Sequence, residues 1–502
     1  MRSKKALLNT IISLIEQAIT ILCGVIIPRL IISKFGSDVN GLIYSINQFL
    51  GYIVLLEAGV GGVVRAALYK PLSLKDSKSI SGIIKATEKF FKIIAYTFIV
   101  YLIIVSILLP YIVKSEFTWI FTFSLVIIIG ISTFFQYYFG ISYQILLQAD
   151  QRQYITSALQ IFTIIVNAIL VVILIKLNAN IYIVKLASSI IFLIRPIILK
   201  LYVKKKYKIT SECDADEKAI EQRWDGLGHH IAFLIHNNTD IALLTIFSSV
   251  KEVSVYSVYF MIVSGVKTLT VTFSTGLEAA FGNMIAKGEK KVLEKNFSIF
   301  EFISFTITTI LFSSTALLIL PFVMLYTEGI TDVNYYRPLF AYILIAAEGI
   351  YCIRVPYNAI VLAAGHYKQT RNGAFVEALI NIIISAVLVY KLGIIGVVIG
   401  TFCAMLFRTI QYALYISRNI IKRDIKQFIK RCLIYSLTIL LIIIIINNLN
   451  FSIVNNYLEW FLYAIKVTLI SSIITLIVGK IFYNKDIKNI LCILNRMIKF
   501  KK

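Results

Sequence analysis

Long apolar runs, each broken by a few polar positions and separated by short basic loops, recur along the whole chain. A bilayer-spanning helix needs about 20 apolar residues. Fourteen stretches meet or approach that length: 6–32, 41–64, 90–112, 117–147, 155–175, 181–201, 229–248, 253–280, 297–325, 337–363, 373–390, 393–416, 432–447 and 458–479. The run 229–248 is rather polar, and 373–390 and 393–416 are joined by a very short turn. The first run follows Met1 to Lys5. It is too long for a signal peptide and lacks a small-residue cleavage site, so it reads as a retained helix. The pattern predicts an all-α polytopic membrane protein with about 14 transmembrane helices.

Composition sharpens this. The 502 residues are 59% hydrophobic and 15% charged, against about 45–50% and about 25% in soluble domains. A soluble enzyme and a disordered chain are both excluded. The net charge of +24, from 50 Lys+Arg against 26 Asp+Glu, would suggest nucleic acid in a soluble protein. Here an N-terminus placed inside puts 37 of the Lys and Arg residues in inner loops and tails and 7 in outer ones. Arg29, Arg195, Lys267, Arg354, Arg408 and Lys466 remain within runs. That asymmetry is the positive-inside pattern, and it predicts both termini in the cytoplasm. The cysteines Cys23, Cys213, Cys352, Cys403, Cys432 and Cys492 form no CxxC pair, so neither disulfides nor zinc are expected.

The two halves of the chain resemble one another. FGSDVNGLIYS (35–45) is matched by FSSVKEVSVYS (247–257), Leu56-Glu57-Ala58 by Leu277-Glu278-Ala279, LQAD (147–150) by VLAA (361–364), and Asn167 by Asn381. The matches keep their order at offsets of 212 to 221 residues, which predicts an internal repeat. Each copy would hold six spans, so both would point the same way through the membrane, related by an axis along its normal. The expected organisation is an N-lobe over 1–201, a cytoplasmic linker over 202–228, a C-lobe over 229–416, and two further helices with a basic cytoplasmic tail over 417–502.

Polar residues inside such runs are costly and usually face inward. Asn9, Ser13, Glu16 and Thr20 share one helical face, and Pro28 and Arg29 follow at the outer end. Asn47, Gln48 and Glu57 lie in the second run, Asn237, Asn238 and Asp240 in the seventh, and Ser264, Lys267, Thr268, Thr272 and Glu278 in the eighth. These four helices are expected to line a wet cavity. The competing reading of Asn9 and Ser13 is hydrogen bonding between helices. For Glu57, Glu278 and Arg65 it is an interfacial position, and for Arg29 it is snorkelling to the outer surface. Glu348, Arg354 and Arg408 read as lobe-stabilising pairs. No catalytic set stands out. Gly59, Gly61 and Gly62 lack the strand–turn–helix setting of a nucleotide loop, Asp214 and Asp216 sit in a short linker, and His229, His230 and His236 have no supporting ligands for a metal.

RLIISKFG (29–36), GLIYSINQ (41–48), LEAG (56–59) and LQADQR (147–152) together resemble the bacterial polysaccharide (oligosaccharidyl-lipid) flippases of the MOP exporter superfamily, over roughly residues 1–420. The resemblance implies two six-helix lobes alternating between inward- and outward-open states. It also implies transport of undecaprenyl-pyrophosphate-linked oligosaccharide across the bacterial cytoplasmic membrane, with no enzyme activity and no cofactor. Arg29 and Lys267 would hold the phosphates, and Asn47, Gln48, Asn237 and Asn238 would bond sugar hydroxyls. Glu16, Glu57, Asp240 and Glu278 would balance charge or couple an ion. Membrane lipid would be a partner, and glycosyltransferases and a polysaccharide polymerase would act on the same glycan. The alternatives are a drug/cation antiporter of the same superfamily, which favours an acidic cavity, and a membrane-embedded biosynthetic enzyme or scaffold, which would want a catalytic cluster or a large loop.

Overall fold

The computed structural model describes residues 2–57, 59–113, 117–207, 209, 213–217, 238–272, 277–449 and 454–499. All of their regular structure is helical. In chain order the helices are α1 (Arg2–Gly51), α2 (Val60–Leu74), α3 (Ser77–Ile112), α4 (Trp119–Phe135), α5 (Ile141–Ala149), α6 (Gln153–Lys176) and α7 (Ile181–Tyr207). They continue with α8 (Asn238–Phe247), α9 (Val250–Thr272), α10 (Leu277–Ala286), α11 (Lys290–Tyr326), α12 (Pro338–Ala363) and α13 (Tyr367–Leu392). The last four are α14 (Ile394–Asn419), α15 (Lys426–Asn448), α16 (Tyr457–Phe482) and α17 (Asn484–Lys499).

Among the described residues, twelve helical stretches are long and apolar enough to cross a membrane. Two features account for the difference from fourteen. The first two predicted spans run into one element, α1, bent at Gly36 (φ 85°, ψ 168°). A backbone with that φ suits a residue without Cβ. The described part of the seventh span, α8, is short. Several helices also extend beyond their apolar runs. α3 starts at Ser77, well before residue 90, because Asp76 caps it: its Oδ1 accepts from the backbone amides of Lys78 and Ser79, each at 3.1 Å. The hydroxyl of Ser79 and these amides hold the Asp76 carboxyl below the usual carboxylate range.

The chain divides into two compact units, Met1–Val255 and Tyr256–Lys502. In the first, α1 runs along α6, α3 packs on α4, and α7 packs on both α4 and α6. Its core includes Leu42, Ile46, Val64, Phe98, Leu125 and Leu146. In the second, α14 packs between α12 and α13, and α11 packs on α12 and α16. The very short turn expected between the spans 373–390 and 393–416 is the single residue Gly393. A Cβ on Gly400 would run into Ser385 and the backbone of Asn381, so glycine there allows α13 and α14 their close approach. Large apolar side chains such as Leu440, Ile444, Leu469 and Ile473 are exposed, as expected of faces that lipid covers rather than water.

Candidate functional site

Polar groups in the first unit gather around two adjoining cavities of about 400 and 500 Å³ that share Val54, Glu57, Gln136 and Ile141 in their walls. Two departures from α-helix border them. A 3₁₀ turn over Tyr52–Glu57 and Gly59, at φ 86°, separate α1 from α2. A π turn over Gln136–Gly140 joins α4 to α5, and such turns alter which side chains face inward. In the first cavity the Arg195 guanidinium donates to the side-chain oxygen of Gln160 and, at 3.1 Å, to that of Gln144. Glu16 acts on Arg195 through space. In the second cavity Arg65 donates to Gln148 at 3.0 Å. Glu57, common to both, shares the wall of the first cavity with Tyr137 and acts on it electrostatically. Asn47, in the first, donates to the Ile43 carbonyl at 2.9 Å.

The residues expected from sequence fall into separate groups. Asn47 and Glu57 meet in the first cavity. Gln48 donates to the side chain of Asn238, and the Tyr52 hydroxyl donates to the Asn238 carbonyl at 3.1 Å, so two amides expected to bind sugar satisfy each other. Asp240 is buried on α8 and acts electrostatically on Tyr52. Arg29 is half-buried on α1, next to Pro28. Asn237 and the three histidines His229, His230 and His236 lie outside the described residues, as does the side chain of Glu278. Lys267, in the second unit, is ion-paired to Glu348 at 2.8 Å and lies 4.0 Å from the Tyr351 ring centroid.

Sequence reasoning did not assign Arg195, Gln136, Gln144, Gln148 or Gln160 to the site, and it left Arg65 at an interface. A signal was present: glutamines inside or at the edges of apolar runs, with Gln144 and Gln148 four residues apart and so on one helical face.

The second unit handles its charges differently. Arg354 pairs with Glu377 at 2.5 Å, and Arg408 approaches the same carboxylate at 3.5 Å. Glu301, with 0% of its surface exposed, accepts both terminal nitrogens of Arg423 at 2.7 Å each, and Arg431 at 3.2 Å. It also accepts the hydroxyl of Tyr357. Arg431 continues to Asp486 on α17 at 2.8 Å. Arg423 lies in the link between α14 and α15. Burial opposes its charge, but hydrogen bonding and Coulomb attraction to Glu301 outweigh that and hold it protonated more firmly than an ordinary guanidinium. Glu348, Arg354 and Arg408 are thus ion-paired, as expected, but not with one another: Glu348 meets Lys267, and both arginines meet Glu377. Among the described residues no group of three or more potential ligands could hold a metal ion.

No protein-family model matches the sequence, and no curated protein matches it. Solved structures do match. The lipid II flippase MurJ, in an inward closed conformation, superposes with a TM-score of 0.70 at 18% identity, over 96% of this chain and 100% of that one. An inward-facing multidrug resistance MATE family transporter of the MOP superfamily gives 0.58 at 15% identity, over 80% and 95%. A MOP superfamily transporter from Pyrococcus furiosus, described as having a binding pocket of reverse polarity, gives 0.55 at 13% identity, over 82% and 96%. The chain carries the fold of these multi-pass transporters.

Proposed function

We propose that this chain is a flippase. It carries undecaprenyl-pyrophosphate-linked oligosaccharide repeat units across the bacterial cytoplasmic membrane for cell-surface polysaccharide synthesis, by alternating access, with both termini in the cytoplasm. The observation that carries the reading is the pair of cavities in the first unit, where guanidinium groups and amides are gathered inside apolar helices. A pyrophosphate-sugar headgroup would lose its hydration in hydrocarbon, at a cost of several kcal/mol per unpaired polar group. Arginine replaces that hydration with charge-assisted hydrogen bonds, and amides both donate to and accept from hydroxyls. The polyprenyl tail stays in lipid, so only the head needs a path.

In this reading Arg29 and Lys267 hold phosphate, Asn47, Gln48, Asn237 and Asn238 bond sugar, and Glu16, Glu57, Asp240 and Glu278 balance charge or couple an ion. Lys267 would reach phosphate by exchanging its Glu348 partner. The fold likeness to a lipid II flippase supports the reading. The MATE likenesses raise drug/cation antiport instead, but that function favours an acid-dominated cavity, and here Arg65 and Arg195 oppose Glu57.

The test is removal of the chain from its host. Lipid-linked glycan should accumulate on the inner leaflet while surface glycan falls. Unchanged surface glycan with no accumulation would overturn the reading.

A further inference from the structure

Arg195 stands on α7 directly before Pro196, in the wall of the cavity of about 400 Å³. Its hydrogen bonds among the described residues go to the neutral amides of Gln144 and Gln160, and the Glu16 carboxylate acts on it only through space. A guanidinium whose hydrogen bonds all go to amides has no bonded carboxylate to displace before an anion binds. One paired to a carboxylate must first give that partner up. Each of five cations in the second unit is in the latter state: Lys267, Arg354, Arg408, Arg423 and Arg431 all meet a carboxylate.

Three further features suit a ligand. Pro196 has no N–H, so the helical amide that would otherwise take the Phe192 carbonyl is missing, and Phe192 is in the same wall. Ser132, whose hydroxyl donates to the Ile129 carbonyl at 3.2 Å, and Thr133 are there too. The volume falls in the range of about 300–1,000 Å³ usual for ligand sites.

We infer that the Arg195 end of this cavity is an oxyanion site, taking a phosphate or carboxylate carried on a hydroxyl-rich body. Arg195 is the cation. Gln144 and Gln160 hold it in the empty state and turn to ligand hydroxyls when the anion arrives. The exchange replaces a neutral acceptor by a charged one, and such hydrogen bonds are roughly twice as strong. This assignment deepens the flippase reading and rests on it for the source of the ligand: the pyrophosphate, or an acidic sugar of the repeat unit.

The experiment is calorimetric titration of the full chain in lipid nanodiscs with inorganic pyrophosphate, with glucuronate, and with glucose as the neutral control. The intact chain should bind at least one of the two anions and show no Arg195-dependent binding of glucose. Arg195→Gln should weaken that anion at least tenfold. Gln160→Glu keeps the guanidinium in place and supplies it with a carboxylate, so it should weaken the same anion at least tenfold without lowering the melting temperature. It therefore remains informative if Arg195→Gln fails to fold. An effect on pyrophosphate alone assigns the site to phosphate, and on glucuronate alone to an acidic sugar. Absence of anion binding by the intact chain overturns the site, and so does a Gln160→Glu chain that binds as tightly as the intact one. Headgroup fragments report binding without transport. Cells that export glycan through a chain whose anion binding ignores Arg195 would refute the site and leave the flippase reading standing. Arg195-dependent binding by a chain that moves no lipid-linked glycan would do the reverse.

Discussion

Both units are apolar helical assemblies that hold cations away from bulk water, yet the cations beside the first unit's cavities and the buried ones of the second are satisfied by opposite means. In the first, Arg65 and Arg195 donate to glutamines beside open volume. In the second, Arg354, Arg408, Arg423 and Arg431 are closed against Glu377, Glu301 and Asp486. Ion pairs removed from water are stable only when both partners remain, because either one alone is a buried, uncompensated charge. Amide-held guanidinium groups make weaker bonds and can exchange them. The contrast separates a part of the molecule built to stay assembled from one able to take up a ligand.

The most severe way to test the contrast is Glu301→Gln. It leaves Arg423 and Arg431 facing one neutral amide in a site with 0% exposure of the residue replaced. The expected cost is about 3–5 kcal/mol, measured as a lower midpoint of thermal or denaturant unfolding in detergent. A variant as stable as the parent would mean that the network does not hold the unit together. Glu377→Gln should follow at a somewhat smaller cost of about 3 kcal/mol, since the Arg408 contact is long at 3.5 Å and Arg408 also donates to the Tyr412 hydroxyl at 2.7 Å.

Arg65→Gln in the first unit should cost only about 1 kcal/mol, the worth of one hydrogen bond, while glycan export falls severalfold at unchanged protein level. If its destabilisation equals that of Glu301→Gln, the two units do not differ in kind. If export is unchanged, Arg65 belongs to the scaffold.

How much of this the sequence revealed follows from the range of each force. Lipid demands helices with internally satisfied backbones, so apolar length alone located the spans Trp119–Ala149, Gln153–Lys176, Pro338–Ala363, Ile394–Asn419 and Tyr457–Phe482 to within about three residues, and others with ends six to eight residues out. Ser77 and Lys290 as helix starts were less visible, since polar extensions into water leave no hydropathy signal. The bend at Gly36 was present as a glycine in FGSDVNG, but its φ depends on how the flanking helices pack. Arg195 was visible as a cation within a span. Its amide partners were not, because Gln144 is 51 residues away and Gln160 is 35, and only the folded chain brings them to it. Glu301 and Glu377 escaped notice as anchors for the same reason: Arg423 is 122 residues from Glu301.

The mildest test asks whether pairing or burial makes the second unit's charges costly to disturb. The first unit has ion pairs of its own, among them Arg152 to Asp150 at 2.6 Å and Lys89 to Glu217 at 2.6 Å, the latter with side chains 65% and 61% exposed. Water screens such a pair, and holding two long side chains in one geometry offsets much of the Coulomb gain. Lys89→Gln should therefore change stability by less than about 1 kcal/mol, and the small effect should vanish at molar salt, where the Debye length is about 3 Å. A double-mutant cycle with Glu217→Gln gives the pair's coupling energy directly. A coupling near that of the Glu301 network would show that an acid partner, wherever it sits, is what fixes a cation in this protein. A coupling near zero leaves burial as the cause, and makes the half-open setting of Arg65 and Arg195 the feature that leaves them able to exchange partners.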